Sequence, residues 1–214
     1  MNKVLLIDDN HSFIDMFKNL VLPLRLKVDA VQKYRPALEL LAQNGEFLNQ
    51  KEYQKLIQFS QKQTRAAKEK DEEAKGNSGD PEKMVITDPL YREEGYFLIV
   101  VEQDTEASIK GVDFIRDQLS RNGQFTPDNF ILLTGNEDKV ESAAKKLGVA
   151  VFEKPLKRSN VLNAIQARVQ KLEQIKSTAE KIIAENKIEI KIPGLQKKGK
   201  GSAASRKKQT SKKN

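Results

Sequence analysis

The sequence predicts an α/β protein built on a five-stranded parallel sheet with helices on both faces, and three observations lead there. In the stretch Tyr96-Phe97-Leu98-Ile99-Val100-Val101-Glu102, five consecutive apolar residues are mostly β-branched or aromatic and end at acidic and polar residues. That is the pattern of a strand buried on both faces of a sheet. Residues 4–7, 130–133 and 149–152 have the same character, and they run into Asp8-Asp9, Thr134-Gly135 and Glu153-Lys154-Pro155. Helical segments separate these strands, and strict alternation of strand and helix implies parallel pairing through right-handed crossovers.

Taken in order, the first strand is followed by a helix over residues 10–21. Phe13, Ile14, Phe17, Leu20 and Val21 fall at helical spacing there, and Pro23 stops it. Residues 26–31 alternate enough for a second strand, and Pro36 sits at a tolerated early position of a second helix. The central strand at 96–102 precedes a helix over 108–122 with Ile109, Val112, Ile115 and Leu119 on one face. The fourth strand ends at Thr134, and a helix over 137–147 is closed by Gly148 in a C-terminal capping position. After the fifth strand, Ser159 is expected to cap a last helix whose apolar positions are Val161, Ile165, Val169, Leu172, Ile175, Ala179 and Ile182. Those steps of four and three follow a heptad seam, so the helix is expected to run beyond the sheet.

Between about residues 44 and 94 the pattern loosens, and this segment reads as an insertion. Tyr53, Leu56, Ile57 and Phe59 can extend a helix. Residues 61–83 have only Ala66, Ala67 and Ala74 as apolar positions, and Gly76-Asn77-Ser78-Gly79-Asp80-Pro81 reads as a connector. The expected organisation is a sheet domain over residues 1–170 carrying this insertion, flexible or helical, then a helical extension over 171–194 and a basic disordered tail over 195–214.

Composition narrows the function classes. The chain has 214 residues, 38% hydrophobic and 32% charged, and no cysteine, which removes disulfides, thiolate metal sites and a cysteine nucleophile. Its single histidine excludes a histidine metal cluster. No apolar run approaches the ~20 residues of a membrane span, and the five apolar residues before Asp8 are too few for a signal peptide, so a cytoplasmic protein is expected. Of the net charge of +8, residues 195–214 hold eight Lys or Arg and no acid, which leaves the rest of the chain neutral. A tail of this kind is either a solvated end or an electrostatic attachment to nucleic acid or an anionic surface.

In an open α/β sheet the chemistry lies beyond the carboxyl ends of the strands. There the strand order collects Asp8, Asp9, Glu102, Gln103, Asp104, Thr134 and Lys154, a set suited to phosphoryl transfer. Taken singly, an acid pair can cap a helix, a threonine can close a turn and a lysine can be solvated. The joint occurrence of Asp8-Asp9, Gly111, Leu133-Thr134-Gly135 and Lys154-Pro155 in this order resembles the receiver domain of bacterial response regulators, over residues 1 to about 170 without the insertion.

The resemblance implies a flavodoxin-like sheet of order 2-1-3-4-5 and a place in two-component signal transduction, phosphorelay included. It implies Mg²⁺ held by Asp8 and Asp9, since Mg²⁺ needs only one or two carboxylates beside a phosphoryl group. It further implies an aspartate at the end of the third strand that accepts a phosphoryl group from a histidine kinase, with Thr134 and Lys154 on the phosphoryl oxygens and a cis Lys-Pro bond. The acceptor aspartate is missing. Counting back from Gly111 without a gap puts Gln103 at its position, aligning the apolar strand puts Glu102 there, and Asp104 is a third candidate two residues beyond Glu102. The strand alignment is preferred, because burial enforces strand register while loops accept insertions.

A glutamate reaches one methylene further than aspartate, roughly to where a phosphoryl oxygen would sit, and could pair permanently with Lys154. The leading reading is therefore a phosphorylation-independent pseudo-receiver, a signalling and protein-interaction module without enzymatic activity, docking partners on the face of its last strands and helices. Its extended helix could also form a homodimer. One alternative is a genuine Mg²⁺-dependent phosphoacceptor that uses Asp104. The other is a nucleic-acid-associated protein in which the sheet domain only carries the basic tail.

Overall fold

A computed structural model of the chain describes residues 2–72, 83–106, 108–121, 124–138 and 140–192. The basic tail and the connector around Gly76-Pro81 lie outside the described residues. The elements run β1 (Lys3–Ile7), α1 (His11–Val21), β2 (Lys27–Val31), α2 (Tyr34–Asn44), α3 (Gln50–Glu72), β3 (Val85–Ile86), β4 (Tyr96–Glu102), α4 (Gly111–Ser120), β5 (Phe130–Thr134), α5 (Glu141–Leu147), β6 (Ala150–Glu153), α6 (Arg158–Glu185) and β7 (Glu189–Ile190). Five strands form one parallel sheet in the order β2-β1-β4-β5-β6. With β3 set aside as part of the insertion, this is the 2-1-3-4-5 order.

Side chains alternate across the strands, and that alternation builds two cores. Val4, Leu6, Leu98, Val100, Ile131 and Leu133 face α1 and the first half of α6, where Phe17, Val161 and Ile165 meet them. Leu5, Ile7, Ile99, Val101, Phe130 and Leu132 face the opposite way, onto α2, α4 and α5 through Ala37, Ile115 and Ala144. β1 and β4 are buried along their whole lengths, as strands covered on both faces must be.

Several helix starts differ from the sequence expectation. α4 begins at Gly111, which leaves Ile109 exposed in the preceding loop, and α5 begins at Glu141 instead of 137. Gly111 allows the start of α4 to lie against the end of β4: a Cβ there would stand 2.7 Å from the Glu102 carbonyl oxygen and 2.9 Å from the Gln103 Cα. Ser159 does not cap α6. The cap position is Lys157, extended and without a side-chain hydrogen bond, so Ser159 is already inside the first turn. α1, by contrast, has a true cap, the Asn10 Oδ1 accepting from the Phe13 N–H at 3.0 Å.

The insertion and the helical extension are one structure. The chain leaves and returns through a hydrogen-bonded stem, in which Phe47 N–H donates to Tyr96 O, Arg92 N–H to Phe47 O and Asn49 N–H to Leu90 O. Gly95 permits this closeness, because a Cβ there would lie 2.4 Å from the Glu46 carbonyl oxygen. α6 runs unbroken past residue 170, and its outer half does not project bare. α3 packs on it, β3 pairs in parallel with β7, and Leu56, Ile86 and Leu90 close over Ala179, Ile182 and Ile188 in a third, smaller core. The seam read as a surface for self-association is thus covered, over Ala179 and Ile182, by the chain's own insertion. Among the described residues no helix is long and apolar enough to cross a membrane.

Candidate functional site at the carboxyl edge of the sheet

Parallel register brings the ends of four neighbouring strands to one edge. Ile7 pairs with Val101, so Asp8 and Glu102 follow side by side; Glu102 pairs with Leu133 and Thr134 with Glu153, which puts Lys154 next in line. Backbone bonds continue past the strands, Asp8 N–H to Val31 O, Gln103 N–H to Leu133 O and Lys154 N–H to Thr134 O. The Lys154-Pro155 peptide is cis.

The centre of the site is the Lys154 ammonium. It lies 2.7 Å from Asp8 Oδ2 and 2.5 Å from Glu102 Oε2, so one cation joins both carboxylates. Phe13 supplies a floor, its ring centroid 4.1 Å from the ammonium. Asp8 is fully buried, and its other oxygen accepts from the Asn10 N–H at 2.9 Å, tying the acid to the start of α1. Burial pushes the Glu102 carboxyl above its ordinary range, with Lys154 opposing that shift. Burial works to lower the lysine as well, but its contacts with Asp8 and Glu102 outweigh it and hold the ammonium above its usual value. A charged triad of this kind persists because each member is compensated; removing one would leave the others buried and unpaired.

Of the three acceptor candidates, only Glu102 reaches Lys154. The Gln103 side chain turns the other way: its Oε1 accepts from Val112 N–H at 3.0 Å and its carbonyl from Gly111 N–H, so it holds the start of α4. Asp104 is exposed and pairs with Lys110 at 2.8 Å. Asp9 is exposed and stands outside the ion-paired triad. Thr134 is buried at the same edge, but its hydroxyl donates to the Asn136 carbonyl and accepts from the Asn136 N–H, both at 3.1 Å, in a local turn. His11 is a surface residue beside the Gln32 amide.

Two contributors were not read as site residues in the sequence. Phe13 looked like one more apolar position of α1. Tyr34, at the start of α2, donates its hydroxyl to the Glu102 carbonyl at 2.8 Å and so steadies the end of β4. Nothing local in the sequence marks either, since both act across the fold.

The residues as arranged are a poor fit for Mg²⁺. The oxygens by which Asp8 and Glu102 would meet a cation are already in contact with the Lys154 ammonium, and the exposed Asp9 does not join them.

No family model and no curated protein sequence matches this chain. Solved structures do. A response regulator receiver domain protein from Clostridium thermocellum superposes with a TM-score of 0.50 at 14% identity, covering 82% of this chain and 99% of that one. A CheY-like receiver domain from Methylobacillus flagellatus gives 0.48 at 14% identity, covering 78% and 98%. The chemotaxis protein CheY4 of Vibrio cholerae gives 0.46 at 15% identity, covering 78% and 98%. The fold of this chain is the receiver fold, a CheY-like, flavodoxin-type doubly wound sheet, and response regulator receiver domains are what it is similar to.

Proposed function

We propose that the protein is a receiver-fold signalling module that works without phosphorylation. The observation that carries this reading is the placement of Glu102, at the end of the central strand, with its carboxylate 2.5 Å from Lys154 Nζ while Lys154 also holds Asp8. In the receiver chemistry that the fold suggests, the lysine answers to charge arriving on the acceptor. Here the charge is built in, on a side chain one methylene longer than aspartate. The mimicry is partial, because a phosphoryl group carries close to two negative charges and three acceptor oxygens. Thr134, with its hydroxyl committed to Asn136, is not called upon in this state.

On this reading the protein has no catalytic turnover and needs no Mg²⁺. It acts by presenting a fixed surface to protein partners on the face of β5, β6 and their flanking helices, in the cytoplasm. The use of Asp104 as acceptor is disfavoured, because Asp104 is exposed, paired with Lys110 and separate from Lys154. Intact-mass analysis after incubation with Mg²⁺ and a small acyl phosphate tests the proposal. No adduct is expected on the folded protein. An adduct that vanishes in Asp104→Asn and survives in Glu102→Gln would overturn it.

A further inference from the structure

A cavity of about 200 Å³ opens at the opposite edge of the sheet from Lys154, where β4 starts and the chain leads into β5. Its apolar lining comes from three places: Phe47 of the stem, Phe97 of β4, and Leu172 and Ile175 of α6. Its charged lining is unbalanced. Arg168 and Lys171 are cationic, Asp128 is the single carboxylate, and Asp128 is already paired with Lys171. Arg168 is left with backbone carbonyls only, donating to Asp128 O at 2.9 Å, Ala164 O at 3.1 Å and Phe130 O at 3.3 Å. These take three of the guanidinium's N–H groups, and a guanidinium has five.

Arg168 is half-buried, and a cation partly withdrawn from water whose hydrogen bonds go to backbone carbonyls is incompletely compensated, so an arriving anion would add to its stabilisation. Burial holds the Arg168 guanidinium below its ordinary value, with Asp128 opposing this only at longer range. We propose that this cavity binds a small carboxylate with an apolar body, an aryl or short acyl acid. Its carboxylate meets Arg168, and its body lies among Phe47, Phe97, Leu172 and Ile175. The volume suits one ring, since an apolar cavity of about 150 Å³ is enough to hold benzene. Because the lining joins the stem, the sheet and α6, an occupant would also tie the side structure to the sheet.

The test is an amide-resolved NMR titration of the full chain with benzoate, and with benzamide as a neutral molecule of the same shape. Benzoate is expected to shift the amides of residues 47–50, 97 and 168–175 saturably, and benzamide to bind about tenfold more weakly or less. Arg168→Gln should weaken benzoate by about the same factor. If that variant loses its dispersed spectrum, Leu172→Phe, which fills the cavity, should exclude benzoate instead. Equal binding of benzoate and benzamide would overturn the proposal. So would shifts spread over surface lysines that fade with added salt, absence of saturable shifts at those amides, or undiminished binding in Leu172→Phe.

Discussion

The five-stranded sheet and the structure attached to its side bury their apolar residues in different ways. In the sheet, β1 and β4 are covered on both faces and two cores share the same strands, so a residue such as Leu98 is enclosed from every direction. In the side structure the core is smaller: Leu56, Ile86 and Ala179 are fully enclosed, Leu90, Ile182 and Ile188 are buried around them, and Tyr53, Ile57 and Ile183 at its margin are only partly covered. Its two strands are two residues each, with Val85 and Ile190 exposed. The sheet is expected to open only in global unfolding, and the side structure before it.

The largest effect should come from the sheet. Leu98→Ala is expected to cost about 3 kcal/mol or more, because a fully enclosed leucine leaves a cavity that neighbours cannot fill. Urea denaturation should show the whole transition moving to lower denaturant. Leu56→Ala should cost about 2 kcal/mol, confined to the side structure. Hydrogen exchange should quicken in α3 and the outer half of α6 while β4 and β5 stay protected. If β4 exchanged equally fast, the two regions would be one unfolding unit.

A third prediction concerns the stem that joins them. Burial pushes the Glu46 carboxyl from 4.5 up to about 7, and the Gln50 N–H and Arg92 offset this only in part. The folded state therefore holds the Glu46 proton more tightly than the unfolded chain does. That contribution is fully present below pH 4.5 and is lost as the pH rises through about 7. Stability should thus fall between pH 5 and 8 by about 2 kcal/mol from this group. Glu46→Gln should flatten that slope in a series of urea midpoints; an unchanged slope would place its origin elsewhere. The smallest effect should be that of Asp104→Asn, which removes one exposed pair with Lys110 and should change stability by less than about 0.5 kcal/mol in either region.

The same two regions differ in how far the sequence revealed them. The strands of the sheet were legible because burial on both faces leaves unbroken runs such as residues 97–101, and their polar endings located Asp8, Glu102, Thr134 and Lys154 at one edge. The choice of Glu102 over Gln103 followed from strand register, and in the structure it is Glu102 that reaches Lys154. The side structure was not legible, because its core joins residues far apart in the chain, Leu56 and Ile86 with Ala179 and Ile188, through strands too short to leave a pattern. The seam of α6 was visible, but not that the insertion would cover it. The turn that engages the Thr134 hydroxyl, the Phe13 floor and the Tyr34 prop depend on contacts that spacing does not encode.

In the proposed function, the Asp8, Lys154 and Glu102 ion pairs occupy the place of a phosphoryl switch. The most direct measurement is the amide NMR spectrum of the full chain with and without Mg²⁺ and beryllofluoride, read at Asp8, Glu102, Thr134 and Lys154. If Glu102 stands in for the phosphoryl group, these signals do not move in the native protein. Saturable, Mg²⁺-dependent shifts at those residues would contradict that role and restore an ordinary phosphoacceptor.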